Sequence, residues 1–72
     1  MKIINLEKTS ANIKEHIEGV SSIKEVADHL GLTLYSVYKW IYGYSLPTID
    51  NLVSLAGYLD VTIDELIVTE DI

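Results

Sequence analysis

SIKEVADHLGLTLYSVYKWIY, residues 22–42, divides into two helical stripes separated by three residues. Ile23, Val26, Ala27 and Leu30 fall at i, i+3, i+4 and i+7, the spacing that lines one face of an α-helix. Ser22 and Glu25 form an S-x-x-E capping box at its start. Gly31 follows at once, where a left-handed backbone is wanted. The second stripe is Val37, Trp40 and Ile41, in a helix over Leu34–Tyr42 capped by Thr33 and stopped by Gly43. Only Gly31, Leu32 and Thr33 separate the two helices, a connection that suits a steep crossing and not a long antiparallel hairpin. Such a crossing needs a small residue where the helices meet, which Ala27 provides. It also needs one buried residue near the middle of the second helix, which Val37 provides, and Trp40 reads as core. Tyr35, Tyr38, Lys39 and Tyr42 repeat at helical spacing on the opposite face and read as an exposed contact surface.

Three more helices follow from the same signals. The first covers Thr9–Glu18, capped by Thr9 or Ser10, with Ile13 and Ile17 inward and Gly19 after it. The fourth covers Ile49–Leu59, preceded by Pro47 and capped by Thr48, with Ile49, Leu52, Val53, Ala56 and Leu59 as its apolar face. The fifth is short, Ile63–Val68, with Thr62 and Glu65 as a second capping box. Asp60 sits between the last two, where Asp tolerates unusual backbone angles. Residues 1–8 and 69–72 are expected to fray. No strand pattern is present. The expectation is an all-α, compact five-helix single domain over residues 1–72, with its motif at 23–42.

At this point the chain resembles the Xre, Cro and lambda-repressor family. Ala27, Gly31 and Val37 stand at the fifth, ninth and fifteenth places of a twenty-residue helix-turn-helix beginning at Ile23. G-Y-S-L-P-T-I-D-N-L-V-S-L-A at 43–56 resembles that family's G-x-x-x-P-x-x-x-x-L-x-x-L-A. L-D-V-T-I-D-E-L at 59–66 resembles its L-x-V-S-x-D-E-L. The resemblance implies a lambda-repressor-like DNA-binding domain acting as a transcriptional regulator, with the helix 34–42 in the major groove of an operator. It implies groove contacts from Thr33, Leu34, Tyr35, Ser36, Tyr38, Lys39 and Tyr42. It implies phosphate contacts near Ser22, Ile23 and Lys24, and near Tyr44 and Ser45. Where the family often has Gln, this chain has Ile23; where it often has Lys or Arg, it has Tyr44. Ile41 stands where many members carry a Glu paired with an Arg of the first helix, and His16 is the residue expected to face it.

Charge bears on the partner. The chain carries a net charge of −6 and has no arginine. Its five lysines all lie in residues 1–46, which are neutral overall, while residues 47–72 hold six acids and no lysine. That balance keeps open an alternative partner for the tyrosine face, since exposed Tyr also serves protein interfaces. Residues 61–72 offer Ile67, Val68 and Ile72 to a second copy, so a homodimer is expected. Nothing pairs a nucleophile with a base, and there is no cysteine, so no enzyme activity, cofactor, metal or small-molecule site is expected. No apolar run reaches the roughly 18 residues that span a bilayer, and the location expected is cytoplasmic.

Overall fold

The structure, a computed structural model, describes all residues 1–72. The order is β1 (Lys2–Ile4), α1 (Leu6–Val20), α2 (Ile23–Leu30), α3 (Leu34–Ile41), α4 (Ile49–Leu59), α5 (Ile63–Leu66) and β2 (Thr69–Asp71). Five helices carry the fold, as the sequence indicates. Every one begins on a short polar side chain that accepts from an otherwise orphaned backbone N–H. Ser22 accepts from Glu25, Thr33 from Ser36, Thr48 from Asn51 and Thr62 from Glu65.

The first cap departs from expectation. It is Asn5, whose side chain accepts from the Lys8 N–H at 2.8 Å, so the helix starts at Leu6 and runs past Gly19 to Val20. Thr9 and Ser10, which the sequence offers as caps, are instead buried one turn further in. Thr9 is used for a different purpose. Its hydroxyl donates to the Val68 carbonyl at 3.2 Å and accepts from the Val68 N–H at 2.9 Å. Asn12 adds bonds from its amide to the carbonyls of Glu65 and Leu66, at 2.6 and 3.1 Å.

These bonds bring the C-terminal segment across α1, and regular structure stands at both ends, where the sequence offered none. Lys2–Ile4 pairs antiparallel with Thr69–Asp71, in the register Lys2↔Asp71, Ile3↔Glu70 and Ile4↔Thr69. Asn5 continues the pairing, its backbone N–H donating to Val68 O at 2.8 Å and its side chain to Glu70 at 3.2 Å. Both strands are three residues long and exposed, which is why no alternating pattern announces them. This ribbon also shortens α5, which stops at Leu66 and not at Val68.

The core is one apolar cluster: Ile13 and Ile17 of α1, Val26 and Ala27 of α2, Val37, Trp40 and Ile41 of α3, Leu55, Ala56 and Leu59 of α4, and Leu66 of α5. In α4 the inner stripe is displaced from the expected one. Ile49 and Val53 are 79% and 54% exposed, while Leu55 is fully buried. Leu52, Leu55, Ala56 and Leu59 satisfy i, i+3, i+4, i+7 as well as the expected set does, so periodicity alone does not select between the two faces. Ile63, at the start of α5, lies at the surface.

Two helices end on left-handed residues in the same way. Gly31 has φ 70° and ψ 30°, and the next N–H, of Leu32, returns to Ala27 O at 2.8 Å. Asp60 has φ 56° and ψ 45°, and Val61 N–H returns to Ala56 O at 3.0 Å. This is the paired closure that satisfies the last carbonyls of a helix. No helix is long and apolar enough to cross a membrane.

Candidate nucleic-acid interface

The junction of α2 and α3 is built as its sequence requires. Ala27 and Val37 are both buried where the helices meet. Gly31 turns the chain, Leu32 and Leu30 pack against the core edge, and Thr33 restarts the helix. Trp40 is 4% exposed, so it anchors α3 from behind and leaves the other face free.

That free face carries Leu34, Tyr35, Tyr38 and Tyr42, with Tyr44 beyond the helix end; all five are exposed. The rings of Tyr38 and Tyr42, one turn apart, stack at 5.6 Å between centroids with 20° between planes. The Lys39 ammonium lies 5.6 Å from the centroid of the Tyr35 ring, within the range of a cation–π contact. Thr33 and Ser36 bond to each other through their hydroxyls at 3.1 Å. Six of the candidate residues on and beside α3 are therefore held in three side-chain pairs.

Ser36, Lys39 and Ser45 are brought to one shallow depression, where Thr48 and Asn51 join them at the start of α4. Thr48, read from the sequence only as a helix cap, and Asn51 were not marked as site residues, because the loop before α4 gives no hint of which side it lies on. Together the five residues supply an ammonium, hydroxyls and an amide beside a helix N-terminus, with no carboxylate among them. Ser22, Ile23 and Lys24 stand apart, at the start of α2. The first N–H groups of that helix lack intrahelical partners, as at any helix start. Lys24, however, is engaged by Asp28 at 3.1 Å one turn on, whereas no carboxylate lies within ion-pair distance of Lys39.

A further cation is placed here that the sequence did not mark. Lys14 of α1 shares a groove with Glu7, Ser10, Ile41, Tyr42 and Gly43 at the end of α3. This corrects the partner expected for Ile41. His16 lies on another side, in a depression with Asn12, Glu15 and Val20. The α1 residues sharing the groove with Ile41 are Leu6, Glu7, Ser10, Ala11 and Lys14, and the Ser10 hydroxyl is buried without any hydrogen-bond partner.

The charge distribution also becomes clear on the folded chain. All eleven carboxylates are on exposed residues, yet none occurs anywhere between His29 and Ile49. That window contains the turn, the whole of α3 and the loop to α4. Within that window no acid interrupts the face, and Glu7 of α1 is the carboxylate that shares a groove with Tyr42 at its edge.

The sequence matches the helix-turn-helix family over residues 21–66, well over half of the chain. It is also similar to a cryptic phage CTXphi transcriptional repressor, RstR, of Vibrio cholerae serotype O1, with 45% identity over 42 residues. The match covers 58% of this chain and 38% of that protein, so the chain spans well under half the length of this relative. No solved structure matches it. With the five-helix fold, the buried Ala27–Val37 junction and the family match in agreement, the chain belongs to the Xre/Cro-like helix-turn-helix family.

Proposed function

We propose that this chain is a sequence-specific regulator of transcription that binds duplex DNA, acts as a repressor, and inserts α3 into the major groove. The observation that carries this reading is the exposed face of α3, free of carboxylates on a protein whose net charge is −6. A bare helix face backed by a buried Trp40 fits a groove about 12 Å wide. Thr33, Leu34, Tyr35, Ser36, Tyr38, Lys39 and Tyr42 are the groove residues in this reading. Ser22, Ile23, Lys24, Tyr44 and Ser45 border the phosphates in this reading, and Lys14, Thr48 and Asn51, which share depressions with α3, are joined to them. The similarity to a phage transcriptional repressor supports the regulatory role.

A single such domain reads a few base pairs, so the active form is a homodimer on two half-sites about 34–36 Å apart. Within residues 61–72, Ile72 is exposed and Ile67 and Val68 are half-buried. Ile49 and Val53 add exposed apolar surface on α4. Sedimentation tests this part: a monomer at hundreds of micromolar rules the dimer out.

The DNA reading is tested by amide NMR titration with short random-sequence duplexes at low salt. Shifts confined to Ser22–Lys24 and Thr33–Ser45, lost as salt rises, are expected. The slope of log affinity on log salt should be on the order of −2 to −3 per subunit, at about −0.9 for each neutralised phosphate. Lys39→Glu should abolish the shifts. Absence of arginine and four exposed tyrosines favour a second reading, a protein-interaction module of the same fold. Amides that stay still with duplex DNA would select it.

A further inference from the structure

We infer that α3 recognises thymine through its C5 methyl group, and that Leu34 and the Tyr38–Tyr42 pair are the residues that read it. This rests on the DNA-binding reading above and adds the base to which the face is matched.

The argument is one of elimination by chemistry. Base pairs are told apart in the major groove by hydrogen-bonding edges and by one apolar group, the methyl of thymine. Two-point hydrogen bonding to guanine or adenine uses Arg, Lys, Asn or Gln. Of these only Lys39 occurs between Thr33 and Ser45, and no carboxylate is there to accept from cytosine. The short hydroxyls of the face are already committed: Thr33 accepts from the Ser36 N–H and its hydroxyl is bonded to that of Ser36. The one ammonium, on Lys39, lies 5.6 Å from the Tyr35 ring and beside Ser45 and Thr48, where this reading assigns it to a phosphate and not to a base.

What remains free is apolar surface with a hydroxyl fringe. Leu34 is exposed at the start of α3, and the stacked rings of Tyr38 and Tyr42 form a slab further along. Stacking one turn apart holds the two rings in a defined position before any contact is made, so little side-chain freedom is lost on binding. A methyl group packs on such a ring, and the phenol O–H can donate to the thymine O4 beside it. Neither Tyr38 nor Tyr42 belongs to the core cluster, so both can be altered without opening it.

The test begins with selection of duplexes from a random-sequence pool by the full chain. The selected duplex is then remade with deoxyuridine in place of every thymidine, which removes the methyls and keeps the pairing edges. Binding is compared at one salt concentration. Loss of one buried methyl is worth about fourfold in affinity, so two or more give a loss above about tenfold. The same comparison with the double variant Tyr38→Ala, Tyr42→Ala should show most of that penalty gone. Equal binding of the thymidine and deoxyuridine duplexes overturns the methyl reading while leaving DNA binding intact. A penalty that persists undiminished in the double variant also overturns it, because the methyls would then act through the duplex and not through these rings. If no duplex is enriched, the DNA-binding reading falls, and this one with it.

Discussion

Replacing Thr9 with valine should loosen the C-terminal segment from α1 while leaving the helix-turn-helix in place. The substitution keeps a β-branched side chain of nearly the same shape, so helix propensity and packing change little. What is lost is a hydroxyl that both donates to and accepts from the backbone of Val68. The two bonds are not equivalent. The Val68 carbonyl keeps a second donor, the Asn5 N–H at 2.8 Å. The Val68 N–H has Thr9 as its acceptor and is left without one. A buried donor stranded in this way costs about 1–3 kcal/mol. Val68 is half-buried, so water can reach it in part, and about 1–2 kcal/mol is the appropriate range. In a domain of this size that lowers the melting temperature by roughly 5–15 °C, at about 4–8 °C for each kcal/mol. Thermal and urea unfolding followed by circular dichroism give the global value. Hydrogen exchange at the Ile72 amide, which donates to Met1 O at 2.9 Å, reports the ribbon separately. Faster exchange there, with the amides of α3 unchanged below the transition, is the expected signature. A variant whose stability and Ile72 exchange both match the parent would refute the view that Thr9 ties the ends of the chain together.

Other substitutions probe single features. Gly31→Ala forces a Cβ onto a residue at φ 70° and should destabilise by about 1 kcal/mol, whereas Asp60→Gly, relieving a non-glycine at φ 56°, should shift urea midpoints the opposite way by less than about 1 kcal/mol. Ser10→Ala removes a buried hydroxyl that has no partner; equilibrium unfolding should show no loss, and a small gain is consistent with alanine's helix propensity. Lys39→Gln should reduce the salt slope of DNA binding by about 0.9, while Lys24→Gln should reduce it less, because Asp28 already offsets Lys24. Equal slopes for the two variants would remove the distinction between them.

The helix-turn-helix was legible because every part of it is overdetermined. Ser22, Gly31 and Thr33 mark boundaries, while Ala27, Val37 and Trp40 mark the inner face, and the signals agree with one another. The ribbon was not legible because strands of three exposed residues carry no periodic pattern, and the bonds that tie the C-terminal segment to α1 come from Thr9 and Asn12, 59 and 53 residues away in sequence from their partners. The face of α4 was misplaced for a subtler reason: its apolar residues satisfy two stripes, and only contact with α2 and α5 settles which is inward. The tyrosines of α3 were placed correctly because Trp40 fixes the opposite side. Lys14, Thr48 and Asn51 escaped notice because their proximity to that helix depends on how α1 and α4 pack, which spacing along the chain does not encode.

The gap in carboxylates between His29 and Ile49 has a kinetic meaning. A body of net charge −6 is repelled by a polyanion within a range set by the Debye length, about 10 Å at 0.1 M salt and longer as salt falls. The repulsion is weakest when the carboxylate-free side leads, so the field of the duplex turns the molecule before it touches. Approach and residence then respond to salt with opposite signs. Added salt screens the repulsion and speeds arrival, and it also loosens the phosphate contacts and hastens departure. For a basic regulator both effects weaken binding, but for this one they compete, so low salt rejects misoriented encounters as well as strengthening the correct one.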